Sequence, residues 1–282
     1  MIDLCTVVTQ ANLSILKLQA ASVGLYTRSV GVRNIYVVLN DDNETLASKI
    51  DLRWWGQMTK HVTVIPRTVF SAAWVPNANN CARVWRFLCA SLSNNVLTCV
   101  LDVNTVLTKP MSIKSLIDSA TGKILSGRQP ATTDLVQSMD MIADLYPGIE
   151  FEVLGPGAGI GLLHNDTVRA MITDLNFRTR RNFSEWLQHL PDLDETVLYS
   201  AFCQQRYGSL SSLYSEQTLL QPCFATEQHR DTMDQMLDNF ATQSVTSVGI
   251  ASAVWQNMNS DQRQRYRMLL IDHGILRTWD LA

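Results

Sequence analysis

The residues most able to do chemistry lie at the end of an apolar strand. Val96-Leu97-Thr98-Cys99-Val100-Leu101 is a near-continuous apolar run, of the kind buried on both faces of a parallel sheet. It delivers Asp102, and a second oxygen-bearing side chain, Asn104, follows two residues later. Two oxygen ligands so spaced can hold a hard divalent cation, and such a cation can neutralise a diphosphate. The amide of Asn104 brings an oxygen but no charge, so this pair holds a cation more weakly than two acids would. The plainer reading is an acid that simply ends a strand.

Two arginines precede that strand, in Arg83-Val84-Trp85-Arg86-Phe87-Leu88. On a helix their i, i+3 spacing places both on one side, able to reach one anionic phosphate. A solvated helix face with Trp85 in the core explains them equally well. A third group is Asp194-Glu195-Thr196-Val197-Leu198-Tyr199. Acids in a first helical turn are favoured by the helix dipole, and a carboxylate there could also serve as a general base. The run Gly155-Pro156-Gly157-Ala158-Gly159-Ile160-Gly161 fails both the G-x-G-x-x-G and the Gly-Lys-Ser/Thr patterns. It reads as a tight turn between strands. Neither G-x-S-x-G nor H-E-x-x-H occurs.

The elements that must position these groups alternate through the first 110 residues. Strands are expected over 4–9, 34–39, 61–65 and 96–101. Helices are expected over 13–25, capped by Asn12, over roughly 44–59, and over 79–92. Such alternation predicts a mostly parallel sheet with helices on both faces. Ligands then bind beyond the carboxyl ends of the strands, where Thr9, Gln10, Asp41 and Asp102 lie. Beyond residue 111 the pattern loosens. Strands are expected near 123–126, 151–154 and 159–164, helices over 134–145, 166–175 and 194–207, and a last helical region from Asp231 onward.

Taken in order, these segments resemble the GT-A glycosyltransferases. Leu101-Asp102-Val103-Asn104-Thr105-Val106 followed by Pro110 is similar to their metal-binding Leu-Asp-x-Asp-Thr stretch, with Asn104 in place of the second acid. Thr6-Val7-Val8-Thr9 is similar to their first strand, and Arg83 to Leu88 to the basic, aromatic helix before the metal strand. Asp194 to Tyr199 looks like the Glu-x-x-Leu-Tyr helix of a poorly characterised bacterial or phage-type group. The likeness runs over residues 3–205 and thins afterwards.

The resemblance implies a Rossmann-like α/β fold in a single domain with a C-terminal helical extension. Residues 1–110 would bind the nucleotide, 111–210 would face the acceptor, and 211–282 would form the extension. It implies a hexosyl- or pentosyltransferase that moves sugar from a nucleotide-diphosphate sugar, such as a UDP-sugar, to an acceptor hydroxyl. Mn²⁺ or Mg²⁺ would sit on Asp102, Asn104 and a third ligand from the C-terminal part, where His229 is favoured over His273. Thr9, Gln10, Asp41, Arg83 and Arg86 would surround the nucleotide, with Gly157 and Gly159 leaving room for the donor sugar. Glu195 or Asp194 would be the base if the reaction inverts the anomeric centre, and would only orient the acceptor if it retains it. His164 is a further candidate for the acceptor wall.

A glycan is the expected acceptor. The alternative, a hydroxylated base in duplex DNA, rests on the loop carrying Arg178, Arg180 and Arg181. A non-catalytic nucleotide-sugar-binding module is the competing function. A nucleotidyltransferase would need a basic, Gly-rich loop after the first strand, which Thr9-Gln10-Ala11-Asn12 does not supply.

Composition sets the outer limits. The 282 residues carry 23 Lys plus Arg against 26 Asp plus Glu, a formal charge of −3, and are 46% hydrophobic. That excludes a disordered chain and a generally basic nucleic-acid binder. Only 17% are charged, fewer than the roughly 25% of a typical domain, which fits buried parallel strands. The six cysteines form no C-x-x-C pair, pointing to a reduced, cytoplasmic setting. The start Met1-Ile2-Asp3 lacks the basic region of a signal peptide. No apolar run reaches the roughly 18 residues of a membrane span.

Overall fold

The computed structural model describes residues 1–41, 45–69, 78–127, 129–131, 135–151, 153–156, 160–190, 192–216, 222–225, 233–250 and 252–276. Its first part runs β1 (Ile2–Val8), α1 (Leu13–Tyr26), β2 (Val32–Leu39), α2 (Leu46–Lys49), β3 (Val62–Ile65), α3 (Ala78–Leu92) and β4 (Leu97–Leu101). Then come β5 (Thr105–Leu107), β6 (Gln129–Pro130), α4 (Val136–Ala143), β7 (Val153–Leu154), β8 (Ile160–His164), α5 (Asn165–Thr179), α6 (Phe183–Gln188) and α7 (Glu195–Tyr207). The chain continues through β9 (Pro222–Ala225), α8 (Met233–Ala241), β10 (Ser247–Ile250), α9 (Ser252–Asn257) and α10 (Ser260–Asp272).

The central sheet has the order β3-β2-β1-β4-β8. β1, β2, β3 and β4 pair in parallel, and β8 closes the sheet antiparallel to β4. All five residues of β4 are buried, as their apolar run requires. Strands are added outward on one side of β1 and then on the other, so the crevice for a ligand opens between the carboxyl ends of β1 and β4. At the opposite end of the sheet, fully buried Asp3 is held by four donors: the Asn34 amide (3.1 Å), Asn34 Nδ2 (2.9 Å), Asn95 Nδ2 (2.7 Å) and the Ser93 hydroxyl.

Two hydrophobic clusters form. The larger packs both faces of the sheet against α1, α3, α5 and α7. The smaller joins Val106 of β5 to Met236, Phe240, Val248, Tyr266 and Leu270 of the C-terminal elements, and Leu18 and Ala21 of α1 lean on it. α1 is thus shared between the two clusters. The sheet beneath the smaller cluster, β5-β10-β9, begins with three residues that directly follow the Asp102 turn. No helix among the described residues is long and apolar enough to cross a membrane. Cys5, Cys89, Cys99 and Cys203 are buried free thiols. Burial pushes Cys99 and Cys203 up to about 12, so both are inert core residues.

Several expectations change. The helix expected over 44–59 is replaced by the four-residue α2 and a 3-10 stretch, Leu52–His61, kinked at Gly56 with φ of 53°. The cause is local: Asp51 accepts from the Arg53 amide and restarts the chain, and Trp55 is driven under α1. Gly24 permits that contact, because a Cβ there would lie 2.5 Å from the Trp55 carbonyl oxygen. Asn12 caps nothing with its side chain; it ends a 3-10 turn, Gln10–Asn12, ahead of α1. The strand expected near 123–126 reduces to isolated bridges from Ile124 to Ile117 and Tyr214. The region expected to be helical from Asp231 contains a strand, β10. Its partner β5 lies far away in sequence, so local periodicity could not announce it.

Candidate active site

At the crevice, the ends of β1 and β2 are tied together. The Asn40 amide donates to the Val8 carbonyl (2.8 Å), and Asp41 Oδ2 accepts from the Gln10 amide (3.1 Å). Thr9, Gln10 and Asp41 therefore gather at one place, as the sequence suggests. Trp85 is buried and donates from Nε1 to Asn40 Oδ1 (2.9 Å). That bond fixes α3 against the strand ends and presents Arg86 toward the crevice.

Arg86 is the centre of the site. Its Nη2 donates to Asp102 Oδ1 and its Nη1 to Glu195 Oε1. The side chains of Arg86 and Glu195 are 22% exposed and that of Asp102 is 31% exposed, so the ion pairs lie in a partly dry pit open to solvent. Burial alone would make the guanidinium easier to deprotonate, but the Glu195 and Asp102 carboxylates reverse this and hold its pKa above the usual value. Burial likewise pushes the Glu195 carboxyl above the usual range; Arg86 opposes the shift, and the nearby charges of Asp102 and Asp194 add to it.

Neighbouring groups hold the acids in position. The Asp102 carbonyl accepts from Gln19 Nε2 (2.6 Å) and from the Thr105 amide (2.8 Å), which closes the turn after β4. Asp194 is the N-cap of α7; its Oδ1 accepts from the Thr196 (2.7 Å) and Val197 (3.2 Å) amides. Arg83 Nη1 donates to the Leu193 carbonyl, so Arg83 holds the entry to α7. Three polar atoms here are buried without a hydrogen-bond partner: Glu195 Oε2, Arg86 Nε and Asn104 Oδ1. Orphaned groups of this kind are rare unless a ligand, ion or water completes them.

Asn104 lines a cleft of about 500 Å³ between α1 and the C-terminal elements, walled by Ser14, Ile15, Ile250, Trp255 and Tyr266. It therefore opens next to Asp102 in sequence and onto the smaller hydrophobic cluster in space.

No protein-family profile matches this chain, and no curated protein matches it. Solved structures do. The galactosyltransferase LgtC, seen with donor and acceptor sugar analogues, matches 98% of this chain and 96% of its own, at 12% identity and a TM-score of 0.50. The glycosyltransferase GlyE of Streptococcus pneumoniae TIGR4 matches 98% of this chain at 13% identity and a TM-score of 0.45, and the chain spans 62% of GlyE. Mouse xyloside xylosyltransferase 1 matches 89% of this chain and 99% of its own, at 13% identity and a TM-score of 0.43. The fold is that of the GT-A glycosyltransferases.

Within this GT-A fold the other expected residues are dispersed. Gly157, Gly159 and His229 lie outside the described residues. His164 pairs with Leu97 at the start of β4, the far end from Asp102, and bonds Thr167 Oγ1 (2.8 Å). It is no part of the site. Arg178 is committed to the fold: Nε meets Asp174 Oδ2 (2.7 Å), Nη1 donates to the Leu145 carbonyl (3.2 Å), and the guanidinium lies 5.0 Å from the Tyr146 ring centre. Arg178, Arg180 and Arg181 are all exposed, but Asp174 offsets the charge of Arg178, so the loop is not the concentrated basic patch a duplex would need. Gln19 positions the site through the Asp102 carbonyl and is not singled out by the sequence pattern. The available signal was a polar Gln on the apolar face of α1.

Among the described residues no three His, Cys, Asp or Glu side chains gather as a metal site. Asp102 and the orphaned Asn104 Oδ1 offer two oxygens and one negative charge, and Arg86 already faces Asp102. That set fits a cation that arrives on a diphosphate, because Mg²⁺ commonly takes one or two carboxylates plus substrate phosphates. It is thin for a cation held by protein alone.

Proposed function

We propose that the chain is a glycosyltransferase that moves a sugar from a nucleotide-diphosphate sugar to the hydroxyl of a glycan acceptor. One observation carries this reading: Arg86 joins an acid at the end of β4 to an acid at the start of α7, over the crevice where a GT-A sheet takes its ligand. The donor lies across Thr9, Gln10 and Asp41, with its diphosphate toward Asp102 and the cleft beside Asn104. A Mn²⁺ or Mg²⁺ ion on Asp102 and Asn104 would neutralise charge on the leaving diphosphate. Arg86 keeps Asp102 and Glu195 in register, and its unused Nε–H faces a site from which water is partly excluded.

Glu195, rather than Asp194, meets the acceptor. Asp194 is engaged with two backbone amides, whereas Glu195 Oε2 is free to accept a hydroxyl proton or a hydrogen bond. Burial raises its pKa, which makes its carboxylate a stronger base than an exposed glutamate. A non-catalytic nucleotide-sugar-binding module would use the same donor contacts but leave Glu195 idle.

Donor hydrolysis tests the proposal. The protein is incubated with UDP-, GDP- and CDP-sugars plus Mn²⁺, and released nucleotide is measured. Slow release that vanishes in Asp102→Ala is the expected result. Tight donor binding without release would replace the transferase by the binding module.

A further inference from the structure

A second cavity, of about 460 Å³, lies further along α1, between that helix, the 3-10 stretch at 52–61 and Gly274 to Leu276. Lys17, Arg28 and Arg53 line it and no acid does, although the whole chain carries more acids than bases. Asp51 grips Arg53 through both carboxylate oxygens from outside the lining, which orients the guanidinium. Arg28 Nε donates to the Gly24 carbonyl (3.1 Å), a bond that does not use its two terminal nitrogens. Trp54 forms part of the wall, and its ring is held by stacking on buried Trp55, with centres 6.3 Å apart and planes 26° apart. At Gly56 and Gly274 the backbone borders open space, with nothing within 4 Å of where a Cβ would be.

The spacing of the cations selects the ligand. Lys17 lies in the first half of α1 and Arg28 two residues past its end, and Lys17 to Tyr26 alone spans roughly 13 Å at the usual helical rise. A compact anion would meet only one end of the groove. A chain with repeated negative charges meets both, and its rings can lie on the Trp54 face, where flat apolar sugar faces pack against an aromatic ring. We infer that this groove binds an acidic oligosaccharide, with carboxylate or phosphate groups on the Lys17, Arg28 and Arg53 cations and a sugar ring against Trp54. The groove shares Lys17, Leu18 and Leu276 with the cleft that Asn104 lines. Its role as a track for a growing acceptor rests on the transferase reading, but the binding itself does not.

Binding is measured by calorimetry on the full chain. The probes are a hyaluronan octasaccharide, a neutral malto-octaose and glucose 6-phosphate. The octasaccharide should bind, weaken severalfold between 50 and 300 mM salt as charge contacts are screened (the Debye length shortens by a factor of about 2.4), and exceed malto-octaose by at least about tenfold. Arg28→Glu and Trp54→Ala should each weaken it by about tenfold. Arg180→Gln, on a distant surface, should not, and an unchanged unfolding midpoint for Arg28→Glu excludes misfolding. Glucose 6-phosphate binding as tightly as the octasaccharide would make this a compact-anion site and overturn the proposal, as would octasaccharide affinity equal in all variants or undetectable. Binding that persists while no donor is hydrolysed would refute the transferase and leave the groove standing.

Discussion

The two ends of the central sheet each carry acids in low-exposure surroundings, and they are treated in opposite ways. At one end Asp3 is fully buried and receives four hydrogen bonds from Asn34, Ser93 and Asn95. Among the described residues no guanidinium is paired with it, and both of its oxygens are satisfied. At the other end Asp102 and Glu195 share one guanidinium, and Glu195 keeps a buried oxygen with no partner. The first arrangement is complete without a ligand. The second leaves a buried acceptor for a ligand, ion or water to complete. Burial alone therefore does not separate the two acids; unfilled hydrogen-bonding capacity does.

That contrast can be broken by substitution. Arg86→Met should act most strongly, because it leaves two carboxylates facing each other: about a thousandfold loss of donor hydrolysis is expected. Asp3→Ala should do the reverse. It strands four donors on Asn34, Ser93 and Asn95 and should cost about 3 kcal/mol of stability, read as a lower denaturant midpoint, while donor binding at the far end is unchanged. Equal loss of donor binding in both variants would erase the distinction between the two ends.

Glu195→Gln sharpens the comparison further. Transfer should fall about a hundredfold with donor affinity retained. In the parent protein the acidic limb of the rate should lie at higher pH than for an ordinary glutamate, because burial raises that pKa, and the limb should vanish in the variant. The sign for stability follows. A folded-state value above the unfolded one favours folding at low pH, and that contribution fades as pH rises through the folded value. Asn104→Asp should be milder, tightening Mn²⁺ binding in the presence of nucleoside diphosphate by about tenfold, as seen by electron paramagnetic resonance. Asp194→Ala should have the smallest effect, about 1 kcal/mol from loss of the α7 cap, with Asp194→Asn close to neutral.

Much of the sheet could be read directly. β1, β2, β3 and β4 lie within a few residues of their expected positions because each is a short apolar run closed by polar residues, and local pattern suffices to define it. The 44–59 segment departed because Gly56 and the Asp51 turn break the helix that its periodicity suggests. β10 departed because four residues cannot show a period, and a partner more than a hundred positions away decides their state. In the site, Asp102, Arg86 and Glu195 were each recognisable by residue type. Their mutual contact was not, since they sit 16 and 109 positions from one another along the chain.

The sequence by itself determined a mostly parallel α/β sheet, an acid at the end of its most apolar strand, and two arginines one helical turn apart. Those follow from side-chain period and from the cost of burying polar groups. Only the tertiary structure decided what each polar residue does. It gave Arg86 to two acids and Arg83 to the Leu193 carbonyl, made a cap of Asp194, set Asn104 at the edge of the cleft beside α1, and tied Arg178 to Asp174. A charged side chain takes whichever partner the packed backbone brings within hydrogen-bond reach, and that distance is not written in local spacing.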